Sequence, residues 1–236
     1  MNIDKLSNDL ITASLSNAKY YFLQTNPRNV DPIEVVCGGR EECDGNYYVS
    51  RETFRYHCIE YTAVGEGLLT LNGKEYTLSP GTIFHYGPGI SHTIRAKNNG
   101  EMVKYFIDFC GYEAGNMIYN SPLSQREPLR VTTPQRIYEI FENLQRTGIE
   151  HTDFSTYICA TLLNLLILRI RERAVPYSVS DVRALDTYSR CKRYIDNNFL
   201  TLTSLDDIVV ACHVDKSYLC RIFKRFINSS PYKYLN

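Results

Sequence analysis

The sequence predicts an α+β protein of more than one domain: a β-barrel or sandwich first, a helical segment after it, and a small all-helical domain at the C-terminal end. The prediction rests on two changes of texture and one of charge. Between about residues 30 and 110, short β-forming runs alternate with turn residues; after Pro122 the apolar spacing becomes helical; and the charge is divided unevenly along the chain.

The β-type runs are IEVVC, NYYVS, HCIEYTAV, GLLTL, KEYTL, TIFHY, HTIRA and MVKYFIDF. LNGKEY places an Asn-Gly pair between two of them, the pattern of a two-residue hairpin, because both turn positions there need positive φ. About eight strands at this spacing form a sandwich or barrel.

PQRIYEIFENLQRTG, residues 134–148, has apolar residues at helical spacing and a terminal Gly; DFSTYICATLLNLLILRIRERAV, residues 153–175, is a longer helix stopped at Pro176. On a helical wheel the longer one has two apolar faces, Phe154, Ile158, Leu162, Leu165 and Leu168 on one and Leu163, Leu166, Ile167 and Ile170 on the other. Such a helix is either buried wholly inside its own domain or set with one face on the barrel and the other on a partner subunit. The expectation is a homodimer held through residues 134–175. LLNLLILRI, the longest greasy stretch, is too short to span a bilayer, so no membrane partner is expected. AVPYSVSDV, residues 174–182, contains Pro and Ser and reads as a linker. The expected divisions are a sensing domain over 1–120, a helical dimerisation segment over 121–175, a linker over 176–182 and a C-terminal domain over 183–236.

In that last domain RALDTYSRCKRYIDNNF, residues 183–199, is a helix. Thr203 with Asp206 reads as a capping box opening SLDDIVVA, and after the turn CHVD, Asp215 caps KSYLCRIFKRFIN. Two short helices joined by a tight turn are the helix-turn-helix layout. The last helix divides on the wheel: Lys216, Ser217, Cys220, Arg221, Lys224 and Arg225 on one half, Tyr218, Leu219, Ile222, Phe223 and Phe226 on the other. A cationic face of this kind suits a major groove, and it equally suits open water; periodicity does not separate the two.

Formal net charge is zero, yet residues 183–236 hold nine Lys/Arg against five Asp/Glu and residues 1–182 seventeen against twenty-one. The C-terminal part is the one suited to phosphates. Eight cysteines, without a C-x-x-C pair and mostly inside apolar runs, read as reduced, buried thiols. The first residues, MNIDKLSNDLITASL, hold no long apolar run, so a cytoplasmic location is expected.

ACHVDKSYLCRIFKRFINSSPYKYL resembles the first helix-turn-helix of AraC/XylS-family transcription regulators, in which an Ala-x-x-Cys turn, a Ser-Tyr-Leu-x-Arg-x-Phe-Lys core and a Ser-Pro-x-x-Tyr tail recur. The resemblance implies that Lys216, Ser217, Cys220 and Arg221 approach base edges of a promoter operator, and that Lys224 and Arg225 hold phosphates. Where the family commonly has Gly in the turn this chain has His213, which must then tolerate positive φ. The family carries a second such unit, and the sequence ends at Asn236 after one. The expectation is either a fragment or a protein that binds DNA weakly and only as a dimer.

Residues 30–109 resemble the cupin-type barrel, a double-stranded β-helix, that serves these regulators as sensor. GTIFHYGPGISH is similar to the second cupin motif, with Gly81, Pro88, Gly89 and His92 in order and one residue more than the enzyme spacing. Metal cupins open with His-x-His followed by Glu, whereas RYHCIEY offers only His57 and Glu60. A poorer set of His57, Glu60 and His92 keeps a metal-dependent cupin enzyme as the alternative. The expectation is a receptor with no metal, no cofactor and no catalytic residue, taking a small-molecule effector such as a sugar. Arg51 matches a position where family sensors hold a ligand hydroxyl or carboxylate, and Tyr47, Tyr48, Tyr56, His57, His85 and His92 are further pocket candidates. With nineteen tyrosines in the chain, simple packing accounts equally well for any one of them.

Overall fold

A computed structural model of the chain describes residues 15–24, 26–97, 101–177, 179–202, 204–227 and 229–235. Its contacts divide it into two compact units, Met1–Pro176 and Tyr177–Asn236. The helical segment 121–175 belongs to the first unit rather than standing apart from it.

The first unit is a sandwich of two antiparallel sheets. It opens with β1 (Leu15–Phe22), β2 (Glu34–Cys43), β3 (Tyr48–Arg51) and β4 (His57–Val64), followed by β5 (Gly67–Leu71) and β6 (Lys74–Leu78). Then come β7 (Thr82–Tyr86), β8 (His92–Ala96) and β9 (Met102–Cys110). Two short strands, β10 (Leu129–Val131) and β11 (Ala174–Pro176), complete it. The larger sheet runs β1-β2-β9-β4-β7-β10-β11 and the smaller β3-β8-β5-β6. The β5–β6 turn is the Asn-Gly hairpin expected, with φ of 49° at Asn72 and 78° at Gly73.

Strand β2 runs past the expected IEVVC, through Gly38 and Gly39. Those glycines leave room for the rings of Tyr21 and Tyr20, which lie where a Cβ would otherwise be. The strands β1, β10 and β11, at the two ends of the larger sheet, went unread: each is short or polar, and each is held by its neighbours. Ala174–Pro176 pairs with Leu129–Val131, and the next helix starts at Val179, so strand and helix take up most of the expected linker 176–182.

Helices cover the outer face of the larger sheet: α1 (Ala114–Tyr119) and a 3-10 turn at Pro122–Gln125, then α2 (Pro134–Glu150) and α3 (Ser155–Arg173). Ile137, Ile140, Phe141 and Leu144 of α2 pack with Tyr61 and Tyr105 of the sheet, the Tyr61 and Phe141 rings stacking at 5.7 Å. Gly148 does not end α2. It lies inside the helix, where the Tyr21 ring occupies its Cβ position, and His151 ends the helix at φ 48°. On α3 Cys159, Leu163, Leu166, Ile167 and Ile170 are buried, while Phe154, Tyr157, Ile158, Leu165 and Leu168 are exposed, Phe154 at 69% and Leu168 at 57%. The helix is therefore buried on one face only within its own chain.

The second unit consists of α4 (Val179–Asn198), α5 (Leu205–Cys212), α6 (Lys216–Ile227) and α7 (Pro231–Leu235). Tyr188, Cys191 and Ile195 pack with Ile208, Cys212, Leu219 and Phe223; the Tyr188 ring lies 5.0 Å from Phe223 and 5.1 Å from Phe226. The box that opens α5 is one residue later than expected. Ser204 Oγ accepts from Asp207 N–H, and the Asp207 carboxylate accepts from Ser204 N–H at 2.9 Å; Thr203 lies outside the described residues. The Ser-Pro-x-x-Tyr tail has a local reason: Ser230 Oγ accepts from Lys233 N–H, Pro231 opens α7, and Tyr234 donates to Asp196 at 2.7 Å. Among the described residues no helix is long and apolar enough to cross a membrane.

Candidate ligand-binding site

Alternation along the strands sorts the side chains of the larger sheet. On β4 and β9, Ile59, Tyr61, Tyr105, Ile107 and Phe109 join the core under the helices, while Glu60, Lys104, Phe106 and Asp108 point between the sheets. An irregularity in the β2–β9 register between Val35 and Cys37 switches the face of β2, so that Val35 packs with the helices and Cys37 and Glu41 face the lumen.

The lumen holds a buried charge cluster. Lys104 Nζ lies 2.7 Å from Glu41 and 3.0 Å from Glu60, all three side chains being under 5% exposed. Tyr20 and Tyr47 donate to Glu41 at 2.9 and 3.2 Å, and Tyr86 donates to Glu60 at 2.7 Å. Burial works against the Lys104 charge, but Glu41 and Glu60 outweigh it and hold the ammonium well above its ordinary range. Asp108 accepts from the Cys37 thiol at 3.3 Å through Oδ2, while its Oδ1, fully buried, has no hydrogen-bond partner. Burial pushes the Asp108 carboxyl up to about 7, against the opposing pull of the Cys58 and Cys37 hydrogen bonds. His92 stacks on Tyr86 with ring centroids 3.7 Å apart, and its Nε2 is likewise unpartnered. Burial brings its pKa down to about 4. Arg51, whose guanidinium lies 5.0 Å over the Phe54 ring, lines the same space. About 10 Å³ remains free among these groups, room for one water, so anything larger enters only if the Arg51–Phe54 rim moves.

The seven side chains expected to form one pocket are thus divided. Tyr47, Arg51 and His92 belong to the lumen. Tyr48 points the other way from its strand and is 60% exposed. His57 and His85 project from the opposite face of β4 and β7, where His57 Nδ1 lies 3.0 Å from His85 Nε2 and the rings stack at 5.2 Å. The set His57, Glu60 and His92 is split for the same reason, since residues 57 and 60 alternate across β4. Among the described residues no three His, Cys, Asp or Glu side chains come together as a metal site requires.

Two clefts lie outside the lumen and share His57 and Pro88. One, of about 300 Å³, is bounded by Arg55, Tyr56, Cys110 and Tyr112; the other, of about 190 Å³, by His85, Ile118, Tyr119, Leu123 and Arg126. Glu41, Lys104 and Asp108 were missed in the sequence. The signal was present in MVKYFIDF, where Lys104 and Asp108 share the parity of Phe106 in an otherwise apolar central strand.

In the second unit Lys216, Ser217, Arg221, Lys224 and Arg225 are all exposed on α6 and Cys220 is half-buried, whereas Leu219, Ile222, Phe223 and Phe226 are buried. Asp215 accepts from Tyr218 N–H at 2.9 Å, which caps α6, and His213 takes φ 48° in the turn. Lys216 is paired with Asp206 at 2.8 Å, and the Arg221 guanidinium rests 5.2 Å over the Tyr218 ring.

Residues 35–167 match the family model of the AraC-like ligand binding domain. The raffinose operon transcriptional regulatory protein RafR of Pediococcus pentosaceus is 26% identical over 209 residues, 85% of this chain and 74% of that protein. The Msm operon regulatory protein of Streptococcus mutans is 23% identical over 200 residues, 84% of this chain and 72% of that one. Among solved structures, KdgF from Halomonas sp. aligns with 34% of this chain and 81% of its own at 20% identity, with a TM-score of 0.28. The family match spans more than half of the sequence, and the chain belongs to the AraC-like ligand-binding-domain family.

Proposed function

We propose that this protein is a ligand-responsive transcription regulator that takes a sugar into the lumen of its sandwich and binds promoter DNA through α6. The observation that carries the sensing half is the buried cluster of Glu41, Glu60, Lys104 and Asp108. Two buried carboxylates on one ammonium, with a third carboxyl buried in the same lumen, are a poor way to stabilise a core, since desolvation offsets most of the attraction, and such clusters gather at functional sites. With Asp108 Oδ1 and His92 Nε2 unpartnered and aromatic rings at hand, the lumen offers what a polyhydroxylated molecule needs: acceptors and donors in alternation, and faces to stack on. A relative named as the raffinose operon transcriptional regulatory protein supports the ligand class.

The DNA-binding half rests on α5, the turn at His213 and α6, which together have the helix-turn-helix layout with every basic side chain of α6 exposed. The exposed apolar face of α3 supports a homodimer, which would present two such units to a two-part operator. The working location is the cytoplasm, where eight unpaired thiols stay reduced.

The test is a thermal-shift titration of the purified chain with raffinose, melibiose and galactose, repeated on Arg51→Ala. One of these sugars should raise Tm in a saturable way, and Arg51→Ala should abolish that rise while leaving the unliganded Tm nearly unchanged. A rise that persists in Arg51→Ala, or no rise with any sugar, refutes the reading.

A further inference from the structure

We propose that the two clefts meeting at His57 and Pro88 form one groove that recognises a small phosphorylated molecule, at a site separate from the lumen.

The lining differs in kind from that of the lumen. No Asp or Glu lines either cleft, while Arg55 stands in one and Arg126 in the other with the His57–His85 pair between them. Both arginines are exposed, and among the described residues neither is ion-paired. Glu34, whose charge reaches Cys110 in the first cleft, is already occupied by the backbone N–H groups of Arg28, Val30 and Asp31. The groove is therefore positive without a counter-charge, and guanidinium forks match phosphate oxygens.

Two further polar atoms belong to residues that line the clefts. Tyr56 OH and His85 Nδ1 are buried, belong to residues at least nine-tenths buried, and have no hydrogen-bond partner. Asn29 and Ser124 add polar groups to the lining, while Ile118, Leu123 and the exposed rings of Tyr112 and Tyr119 give apolar surface for an organic moiety rather than for a bare ion. The space of the two clefts far exceeds that left in the lumen.

The histidines add a signature. Burial lowers the pKa of both, His85 down to about 3 with help from His57 and Arg126, so the pair is neutral in the free protein. A dianion beside them favours the imidazolium form, so binding takes up a proton and tightens as pH falls.

Isothermal titration of the full chain with glucose 6-phosphate, with glucose as the uncharged control, tests this. Saturable binding is expected for the phosphate ester and none for glucose. Arg55→Ala and Arg126→Ala should each weaken it at least tenfold at unchanged Tm, whereas Lys224→Ala/Arg225→Ala should not. Sulfate, which does not titrate near neutrality, should bind more tightly at pH 6 than at pH 8 with proton uptake that His85→Gln removes. Absence of saturable binding, binding indifferent to both arginine substitutions, or binding lost with Lys224 and Arg225 would overturn the proposal. Because Arg55, Arg126 and His85 lie outside the lumen and Arg51 is left intact, the effect of their substitution on phosphate-ester binding is distinguishable from failure of the lumen reading.

Discussion

Lys104 lies 2.7 Å from Glu41 inside the sandwich, and each of these two side chains is all but sealed from water. Removing one partner of such a pair strands the other. Lys104→Met leaves Glu41 and Glu60 buried side by side, and should cost about 3–5 kcal/mol in urea unfolding. Adding Glu41→Gln should return part of that loss, because it deletes the stranded charge. If Lys104→Met alone were neutral, the cluster would be hydrated in solution and the lumen open.

Asp108 gives the protein a pH dependence of unusual sign. Its folded pKa of about 7 stands above the ordinary carboxyl value of 3.8, so between these limits the native state keeps a proton that the unfolded chain has released. Stability from this group is complete at low pH, falls as pH rises through the window, and is constant above about 7. The full swing is on the order of 4 kcal/mol at most, since each unit is worth about 1.4 kcal/mol. His92 acts oppositely: it stays neutral when folded, so its contribution is lost as pH falls from 6.5 toward 4. Urea unfolding of the parent and of Asp108→Asn across pH 4.5–8 separates the two. The difference in stability between them should change across that range in favour of the variant as pH rises, and a constant difference would mean that Asp108 is ionised throughout.

The central strands were legible because they obey one rule at a time. HCIEYTAV and TIFHY give β4 and β7 with the boundaries expected, since apolar runs flanked by turn residues leave few alternatives. The pocket was less legible because its composition depends on which side of a strand each residue takes. Motif proximity put His57 and His85 with His92, whereas alternation sends them to the other face; the register shift at Val35/Cys37, invisible in the sequence, brings Glu41 and Cys37 into the lumen. The turn at His213 was readable for a local reason, because its positive φ is set by the short connection between α5 and α6.

The proposed dimer contact and the core contact lie on opposite faces of α3, so substitutions on the two faces should differ in outcome. Ile158→Glu or Leu168→Glu, on the exposed face, should dissociate the dimer in sedimentation velocity while leaving the far-UV circular dichroism and the sandwich intact. Leu163→Glu, on the face expected to be equally available from sequence, places a charge in the core and should unfold the first unit instead. A chain that already sediments as a monomer would refute the dimer.

The last prediction concerns α6, where packing has already separated the side chains into a buried half and a basic half. Arg221 lies mid-helix on the exposed half, near the Tyr218 ring, and under the proposed DNA-binding role it is the candidate for a bidentate contact to guanine. Arg221→Ala should cost roughly 1–3 kcal/mol on a binding site selected from random DNA, and relax the choice at one base. Lys224 and Arg225 lie in the last turn, where phosphates are the nearer target, so their loss should weaken selected and random DNA alike and reduce the salt slope by about one each. Lys216 differs from both, because its bond to Asp206 must break before it can reach DNA. Asp206→Asn should therefore tighten binding severalfold, and Lys216→Ala should weaken it less than Arg221→Ala does. Fluorescence anisotropy at several salt concentrations measures all of these. Equal losses on selected and random DNA for Arg221→Ala would mean that it reads no base.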